Sequence, residues 1–469
     1  MNYERLQQPL MLVIFGITGD LAQRKLLPAL FQLAKANELP EQLQIMGISR
    51  RDVSKDEVYQ QLETYVGNDY DPLVEQHLKD HTEMRQMDLV DKQAYQALLA
   101  RLQEIEQQLG EGGCRLYYLS IPSQAFTPII KLLGETGHNA PLAGGSDAPR
   151  LLIEKPFGYD LPSARELVAV LGEHFGEGQI YRIDHYVAKE TVQNILVFRF
   201  RNPLFDSIWN NRHIDRITVV AHEKIDIEGR ANFYEQTGAL RDFIQNHLLQ
   251  LLAITTMARP AKLESDDIHA EKLTLLEAIQ PIHPNLVAEQ TLRGQYEGYR
   301  DEVGNPDSLA ETFARVKLWI DNEQWTGIPV TLETGKALNE KCTEITICFR
   351  QPDSTTEEQN HLVFRIQPSE GITLRLQTKQ PGIKNITASA DMDLDYGRSF
   401  NQRPAEAYER VIVDAIRGDQ TLFATSAEVI RSWEIVENVL EQWSHSAEGL
   451  VPYAKGSAGP VESSGEDHT

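Results

Sequence analysis

The stretch LMLVIFGITGDLAQRK, Leu10–Lys25, decides the fold. It opens with an unbroken apolar run, Leu10–Phe15. A run that short suits a strand buried on both faces and falls well below membrane-spanning length. Glycines follow at Gly16 and Gly19, and the next segment, KLLPALFQLAKA, has apolar residues at helical spacing. A strand, a glycine turn and a helix in that order form the opening of a βαβ unit.

Working outward, LQIMGISRR, CRLYYLSIP and RLLIEKPFG repeat the buried-strand pattern, with the helical AYQALLARLQEIEQQL between them. This alternation predicts a parallel sheet. Beyond about residue 200, RITVVAHEK, ARVKLWID, VTLETG, TEITICFR, HLVFRIQP and ITLRLQT alternate apolar with polar residues. They predict a large antiparallel sheet with one covered face. Helical patterns interrupt it at ALRDFIQNHLLQLLAITTMA and close the chain at AYERVIVDAIRG and AEVIRSWEIVENVLEQW. The expected fold class is therefore α/β plus α+β. A Rossmann-like dinucleotide-binding domain spans 1–183, and an α+β domain with a mainly antiparallel sheet and packed helices spans 184–455. The Gly/Ser/acid-rich segment 456–469 is expected to be disordered. NAPLAGGSDAP, 139–149, reads as a surface loop.

The 469 residues carry 45 Lys+Arg against 69 Asp+Glu, a net charge of −24. That balance disfavours nucleic acid and anionic membranes as partners. Cys114, Cys342 and Cys348 are too scattered for a disulfide framework or a zinc site, so no metal is expected. The segment MNYERLQQPL lacks a signal-peptide pattern, and a reducing cytoplasm is the expected compartment.

Gly16-x-x-Gly19-x-x-Ala22 departs from the usual dinucleotide spacing, because Thr18 occupies the second glycine position. Taken alone, the pattern fits an empty tight turn equally well. The second strand adds information. It ends in Ser49, Arg50 and Arg51, where an NAD site usually places an acid for the ribose hydroxyls. Arginine suits a 2′-phosphate, so the expected cofactor is NADP. Arg51 fits a solvated loop residue equally well.

YRIDHYVAKETVQN, Tyr181–Asn194, concentrates Asp184, His185, Tyr186 and Lys189. Asp184 reads as a helix N-cap, with His185 and Lys189 sharing one face of the helix that follows. Two cations there repel each other unless an anion lies between them. In ALRDFIQNHLLQLLA, Leu240, Phe243, His247 and Leu251 form a stripe. A histidine so placed is usually a core residue. With Asp184 to orient it, His247 can instead accept a hydroxyl proton during hydride transfer. Asp242 and Glu223 are nearby acids, and Glu223 fits a surface salt bridge equally well. EKPFG puts Lys155 at the carboxyl end of the fourth predicted strand, within reach of both ligand and cofactor, and Pro156 is a candidate for a cis peptide bond.

Together these segments resemble the glucose-6-phosphate dehydrogenase family. GITGDLAQRKLLPAL, EKPFG, RIDHYVAKETVQN, EGR, LRDFIQNHLLQLL, ETGKALNEK and AYERVIVDAIRGDQTLF follow that family's order from about Leu12 to about Gly459. The resemblance implies NADP-dependent oxidation of D-glucose 6-phosphate at C1, the first step of the oxidative pentose phosphate pathway. It implies that His247 is the base with Asp184 as its carboxylate partner, and that His185, Tyr186 and Lys189 bind the phosphate. Sugar contacts then fall on Lys155, Glu223, Asp242 and Lys336, with Lys341 a further contact. Cofactor positions fall on Gly16, Thr18, Gly19, Asp20, Leu21, Arg50, Asp88, Leu89 and Lys155. A homodimer or homotetramer, paired through the antiparallel sheet, is also implied. The chain departs from the family in Val187-Ala188, where Leu-Gly is usual, and in Ala458, where Trp is common. Two other readings compete: an NAD(P)-dependent dehydrogenase of an unphosphorylated sugar, and a non-catalytic NADP-binding regulator.

Overall fold

The computed structural model describes residues 8–109, 113–141, 148–351, 358–400 and 403–461. The chain forms two compact units. One holds the described residues up to Gly158, with Pro162–Ala188 and Ala405–Ser426; the other holds Tyr159–Leu161, Lys189–Pro404 and the described residues from Ala427 on. The expected boundary at 183/184 did not anticipate that 405–426 belongs with the first unit.

The first unit is built on β1 (Leu10–Phe15), β2 (Leu43–Ser49), β3 (Thr82–Gln86), β4 (Cys114–Leu119), β5 (Arg150–Ile153) and β6 (Ile180–Ile183). All six run parallel in the order β6-β5-β4-β1-β2-β3, and a short antiparallel strand, Phe423–Ala424, borders β6. β1 and β4 are buried along their whole length, as continuous apolar runs with both faces covered must be. Tyr95, Leu98, Leu102 and Ile105, at helical spacing on Lys92–Leu109, pack with Phe126, Ile129, Ile130 and Leu133 over one face. The sequence pattern missed β3, TEMRQ, which is largely polar, and β6, which is short. The strand ending in EKPFG is therefore fifth in chain order and not fourth.

The second unit carries β7 (Ile214–His222), β8 (Thr291–Tyr296), β9 (Phe313–Trp319), β10 (Pro329–Gly335), β11 (Cys342–Phe349), β12 (His361–Gln367), β13 (Gly371–Lys379) and β14 (Thr387–Asp395). With the strand Leu450–Tyr453 they form one nine-stranded sheet in the order β14-β13-β12-β11-β7-β10-β9-β8, then Leu450–Tyr453. It is mainly antiparallel; β10 runs parallel to β7, and Leu450–Tyr453 parallel to β8. β12 alternates half-buried and buried positions along its length, as a sheet with one covered face requires.

Three local expectations change. The segment after Asp184 is a turn, and the helix begins at Glu190 with Lys189 as its extended N-cap (ψ 143°). His185 and Lys189 thus do not share a helical face. The Asp184 carboxylate closes that turn and does not cap the helix, accepting the Tyr186 N–H at 2.9 Å, while the Ala188 N–H donates to the Asp184 carbonyl at 3.3 Å. ALRDFIQNHLLQLLAITTMA is a π-helix over Leu240–Leu248 before it becomes an α-helix over Leu249–Thr256. The 456–469 segment is ordered in its described part. The Gly456 N–H donates to the Ala337 carbonyl at 2.7 Å and the Asn339 N–H to the Ser457 carbonyl at 2.8 Å, and Gly459 and Pro460 are buried. Residues 1–7, 142–147 and 462–469, which include parts of the N-terminal, loop and tail readings, lie outside the described residues.

Candidate active site

In the first unit one row of paired residues crosses the sheet: Arg85, Ile48, Phe15, Leu119, Ile153 and Arg182. Candidate site residues and their neighbours follow just past that row. Gly16 succeeds β1, Ser49-Arg50 ends β2, Ser120 succeeds β4, Glu154-Lys155 succeeds β5 and Asp184 succeeds β6, while Asp88 and Leu89 lie just beyond β3. This is the carboxyl edge, where open α/β sheets bind ligands.

Gly16 has φ +79°, and a Cβ there would stand 2.4 Å from the Ser120 carbonyl and 2.7 Å from Ile121 Cγ2. No larger residue fits that turn. The Gly16 N–H donates to the Ile48 carbonyl (3.0 Å) and the Gly19 N–H to the Gly16 carbonyl (2.8 Å). Thr18, Gly19 and Leu21 are half-buried, while Asp20 is exposed and pairs with Arg24 at 3.6 Å. The chain is already helical from Asp20, and the Gln23 N–H donates to the Gly19 carbonyl (3.0 Å). No side chain caps this start among the described residues, so the N–H groups ahead of Gln23 are available to an anion. Ser120 Oγ is buried and has no hydrogen-bond partner among the described residues. A bare glycine turn, an uncapped helix start and an orphan hydroxyl fit a dinucleotide. Arg50 and Arg51 are both exposed, and Arg51 lies 3.7 Å from Glu57, an internal partner that suits the loop-residue reading.

Past β5, the Lys155–Pro156 bond is cis. Glu154 is buried and accepts a hydrogen bond from the Tyr118 hydroxyl. Burial pushes the Glu154 carboxyl up to about 7, opposed by hydrogen bonds from the Tyr118 and Tyr408 hydroxyls. The His185 ring stacks on Tyr408 at 6.4 Å and tilts against Tyr186 at 4.9 Å. Asp184 and Tyr186 are buried.

The second unit has its own row, in which Phe313, Gly335, His222 and Cys342 pair across β9, β10, β7 and β11. One step past it stand Thr312, Lys336, Glu223 and Lys341. Residues from three separate stretches of the sequence therefore leave one sheet edge together. Lys336 Nζ is hydrogen-bonded to Glu223 Oε2 and lies 5.1 Å from the Tyr234 ring centroid and 5.9 Å from that of Phe243. Lys336 is buried and Lys341 exposed. The π-helix carrying Asp242 and His247 packs on β7, β9 and β10, with both residues buried and the His247 ring edge-on to Phe243 at 5.7 Å. Lys189 is half-buried; its charge works against burial, which raises the Glu370 carboxyl, and Glu370 also accepts from Thr191 Oγ1 at 3.1 Å. Sequence reasoning passed over Tyr118, Tyr408 and Glu154 as polar partners. Only Glu154, quoted within EKPFG, carried a signal, as an acid buried at a strand end. Among the described residues no group of ligands suits a metal ion.

Comparison with known proteins accounts for both halves. A family model described as glucose-6-phosphate dehydrogenase, NAD binding domain, matches residues 13–194, and one described as its C-terminal domain matches residues 196–466. The chain is 39% identical to glucose-6-phosphate 1-dehydrogenase of Chlamydia muridarum, over 96% of this chain and 94% of the relative. It is also 39% identical to that of Bacillus subtilis, over 97% and 96%. A solved glucose-6-phosphate dehydrogenase in complex with its substrate glucose-6-phosphate superposes with TM-score 0.90 at 33% identity, covering 98% of this chain and 97% of the other. The enzyme from Mycobacterium avium superposes with TM-score 0.83 at 32% identity, covering 97% and 95%. With matches to both halves and near-complete coverage, the chain belongs to the glucose-6-phosphate dehydrogenase family.

Proposed function

We propose that this protein oxidises D-glucose 6-phosphate at C1 to 6-phospho-D-glucono-1,5-lactone, with NADP⁺ as acceptor. The observation that carries this reading is the edge where Glu223, Lys336 and Lys341 leave adjacent strands beneath the helix of Asp242 and His247. Bound NADP⁺ supplies the hydride acceptor, the nicotinamide C4. His247 takes the proton of the C1 hydroxyl as the C1–H bond breaks, so the electron pair of the O–H bond forms the lactone carbonyl. Asp184 holds the imidazole and stabilises the imidazolium. Lys336, Glu223, Asp242 and Lys155 hold the sugar hydroxyls, His185, Tyr186 and Lys189 take the phosphate, and Lys341 is a further contact to sugar or phosphate. On the cofactor side the Gly16–Leu21 turn receives the pyrophosphate and Arg50 the 2′-phosphate, with Asp88 and Leu89 flanking it. The test follows nicotinamide absorbance with glucose 6-phosphate and with glucose, for the wild type and Lys189→Ala. Losing one charged phosphate ligand should cost roughly 2–4 kcal/mol for the phosphate ester and almost nothing for glucose. Faster turnover of glucose would favour a dehydrogenase of unphosphorylated sugars, and NADP⁺ binding without turnover a regulator.

The assembly we infer is a homodimer or homotetramer paired through the large sheet. β14 is mostly exposed, and Met392 on it and Ile386 beside it are exposed apolar side chains. Sedimentation of a Met392→Glu variant tests this, since an unchanged mass would remove the sheet face from the interface. A reducing cytoplasm suits Cys114, Cys342 and Cys348, which are thiols and not disulfides. Among the described residues no helix is long and apolar enough to cross a membrane.

A further inference from the structure

Glu311 lies two residues before β9 and is buried. Its carbonyl accepts the Ala239 N–H at 2.8 Å and its Oε1 accepts the Leu240 N–H at 2.8 Å. Those donors open the π-helix of Asp242 and His247, and N–H groups at a helix start have no partner within the helix. The approach is close. Gly238 has φ +64°, and a Cβ there would stand 2.5 Å from Glu311 Oε1. The next residue, Thr312, accepts the Lys336 N–H on its carbonyl at 2.9 Å. The Tyr453 hydroxyl contacts the carbonyls of Lys336 (2.7 Å) and Thr312 (3.1 Å). The Glu311-Thr312 dipeptide thus grips the histidine-bearing helix with one residue and Lys336 with the other.

We propose that Glu311 is a positioning residue for hydride transfer: it sets the helix of Asp242 and His247 against Lys336 and Glu223. The proposal rests on the reading of His247 as the base. An ordinary Ser or Asp cap would satisfy the same donors from within the helix's own segment and would tie it to nothing else. Glu311 reaches the helix from the sheet, so the fixed point belongs to the strand edge that carries the sugar contacts. Leu240 and His247 are seven residues apart, which an α-helix would span in roughly 10 Å at about 1.5 Å per residue; the wider π-helix rises less, so the lever is on the order of 8–10 Å. A tilt of about 6° at the cap then moves the imidazole roughly 1 Å, and a misplacement of that size costs about 10²-fold in rate.

The experiment compares Glu311→Ala, Glu311→Gln and Glu311→Asp in the full chain. Glu311→Gln keeps an oxygen for the Leu240 N–H and should stay within about threefold of wild-type kcat, whereas Glu311→Ala should lose about 10–10²-fold in kcat with both KM values changed far less. The imidazole resonance of His247 should move in Glu311→Ala and hold still in Glu311→Gln. Wild-type kcat in Glu311→Ala, with only the melting temperature lowered, overturns the proposal, as does Glu311→Gln failing as badly as Glu311→Ala. Should Glu311→Ala not fold, Glu311→Asp, whose shorter arm must drag the helix, takes its place; equal kcat in Glu311→Asp and Glu311→Gln then overturns it. A wild type that oxidises no sugar phosphate would remove the proposed activity and with it the role in hydride transfer, whereas an unmoved His247 resonance in Glu311→Ala would overturn the placement of the helix by Glu311 with or without turnover.

Discussion

Replacing Lys336 by Met separates two jobs that one side chain holds, bracing the sheet edge and handling a sugar. The Lys336 side chain is 3% exposed and its partner Glu223 18% exposed. Met keeps most of the stem that packs toward Tyr234 and Phe243 and deletes only the charge. Stripping one member from a fully buried ion pair costs about 3–5 kcal/mol; because Glu223 keeps some access to water, about 1–3 kcal/mol is expected. Adding Glu223→Leu removes the abandoned carboxylate. An apolar pair of similar volume is often as stable as the ion pair, so most of the lost stability should return in the double variant. Activity should not return with it. Each charged contact to a sugar hydroxyl is worth roughly 1.5–3 kcal/mol, so kcat/KM should fall at least about tenfold in either single variant and further in the double. The assay pairs urea unfolding of all four proteins with kcat/KM for glucose 6-phosphate at saturating NADP⁺. Recovery of kcat/KM along with stability in the double variant would show the pair to be scaffold, and the assignment of sugar contacts to it would be wrong.

His247→Asn should lower kcat by about 10²–10⁴-fold with little change in substrate affinity, the usual worth of a placed general base; near-normal kcat removes His247 from that role. Arg50→Ala should weaken NADP⁺ by roughly 1.5–3 kcal/mol and NAD⁺ hardly at all, and equal losses by fluorescence titration would make Arg50 a loop residue only. The Glu154 carboxyl, raised from 4.5 to about 7 in the fold, favours its protonated form there, so it opposes folding increasingly as pH rises from about 4.5 to 7 and uniformly above. Glu154→Gln should therefore gain on the wild type across that window, by roughly 3 kcal/mol at most, and parallel profiles of melting temperature against pH would reject this.

The fold was legible in the sequence wherever burial imposes a period. β1, β4 and the alternating strands of the second sheet declare themselves, because every position has one environment. β3 does not: among its five residues only Thr82 is buried, so its sequence carries no strand rhythm. The site was legible by residue type and family resemblance, and the geometry inside it less so. Asp184 was read as a helix N-cap, but it closes a turn and Lys189 is the N-cap, since one hydrogen-bonded turn and a helix start share a signature. The π-helix at His247 was likewise invisible, because an apolar stripe at i, i+3 and i+7 marks a helix without telling a π-turn from an α-turn. Register joined Glu223 to Lys336 and Lys341, and no local pattern encodes register between strands this distant.

The return of 405–426 to the first unit also bears on translation. That unit's parallel strands have all been synthesised by Ala188, yet β6 gains its neighbour only with Phe423–Ala424. Arg150 and Arg182 likewise await the carbonyls of Ala415, Ile416 and Ala424. Synthesis of the intervening Lys189–Pro404 at about 5–20 residues per second leaves that edge open for roughly 10–40 s. A sheet edge exposed that long is a template for mispairing. Chains stalled far enough past Ala188 for β6 to have cleared the exit tunnel should accordingly be cleaved by added protease near β6 and become resistant once Ser426 has emerged; equal resistance at both lengths would mean the first unit closes without its last piece.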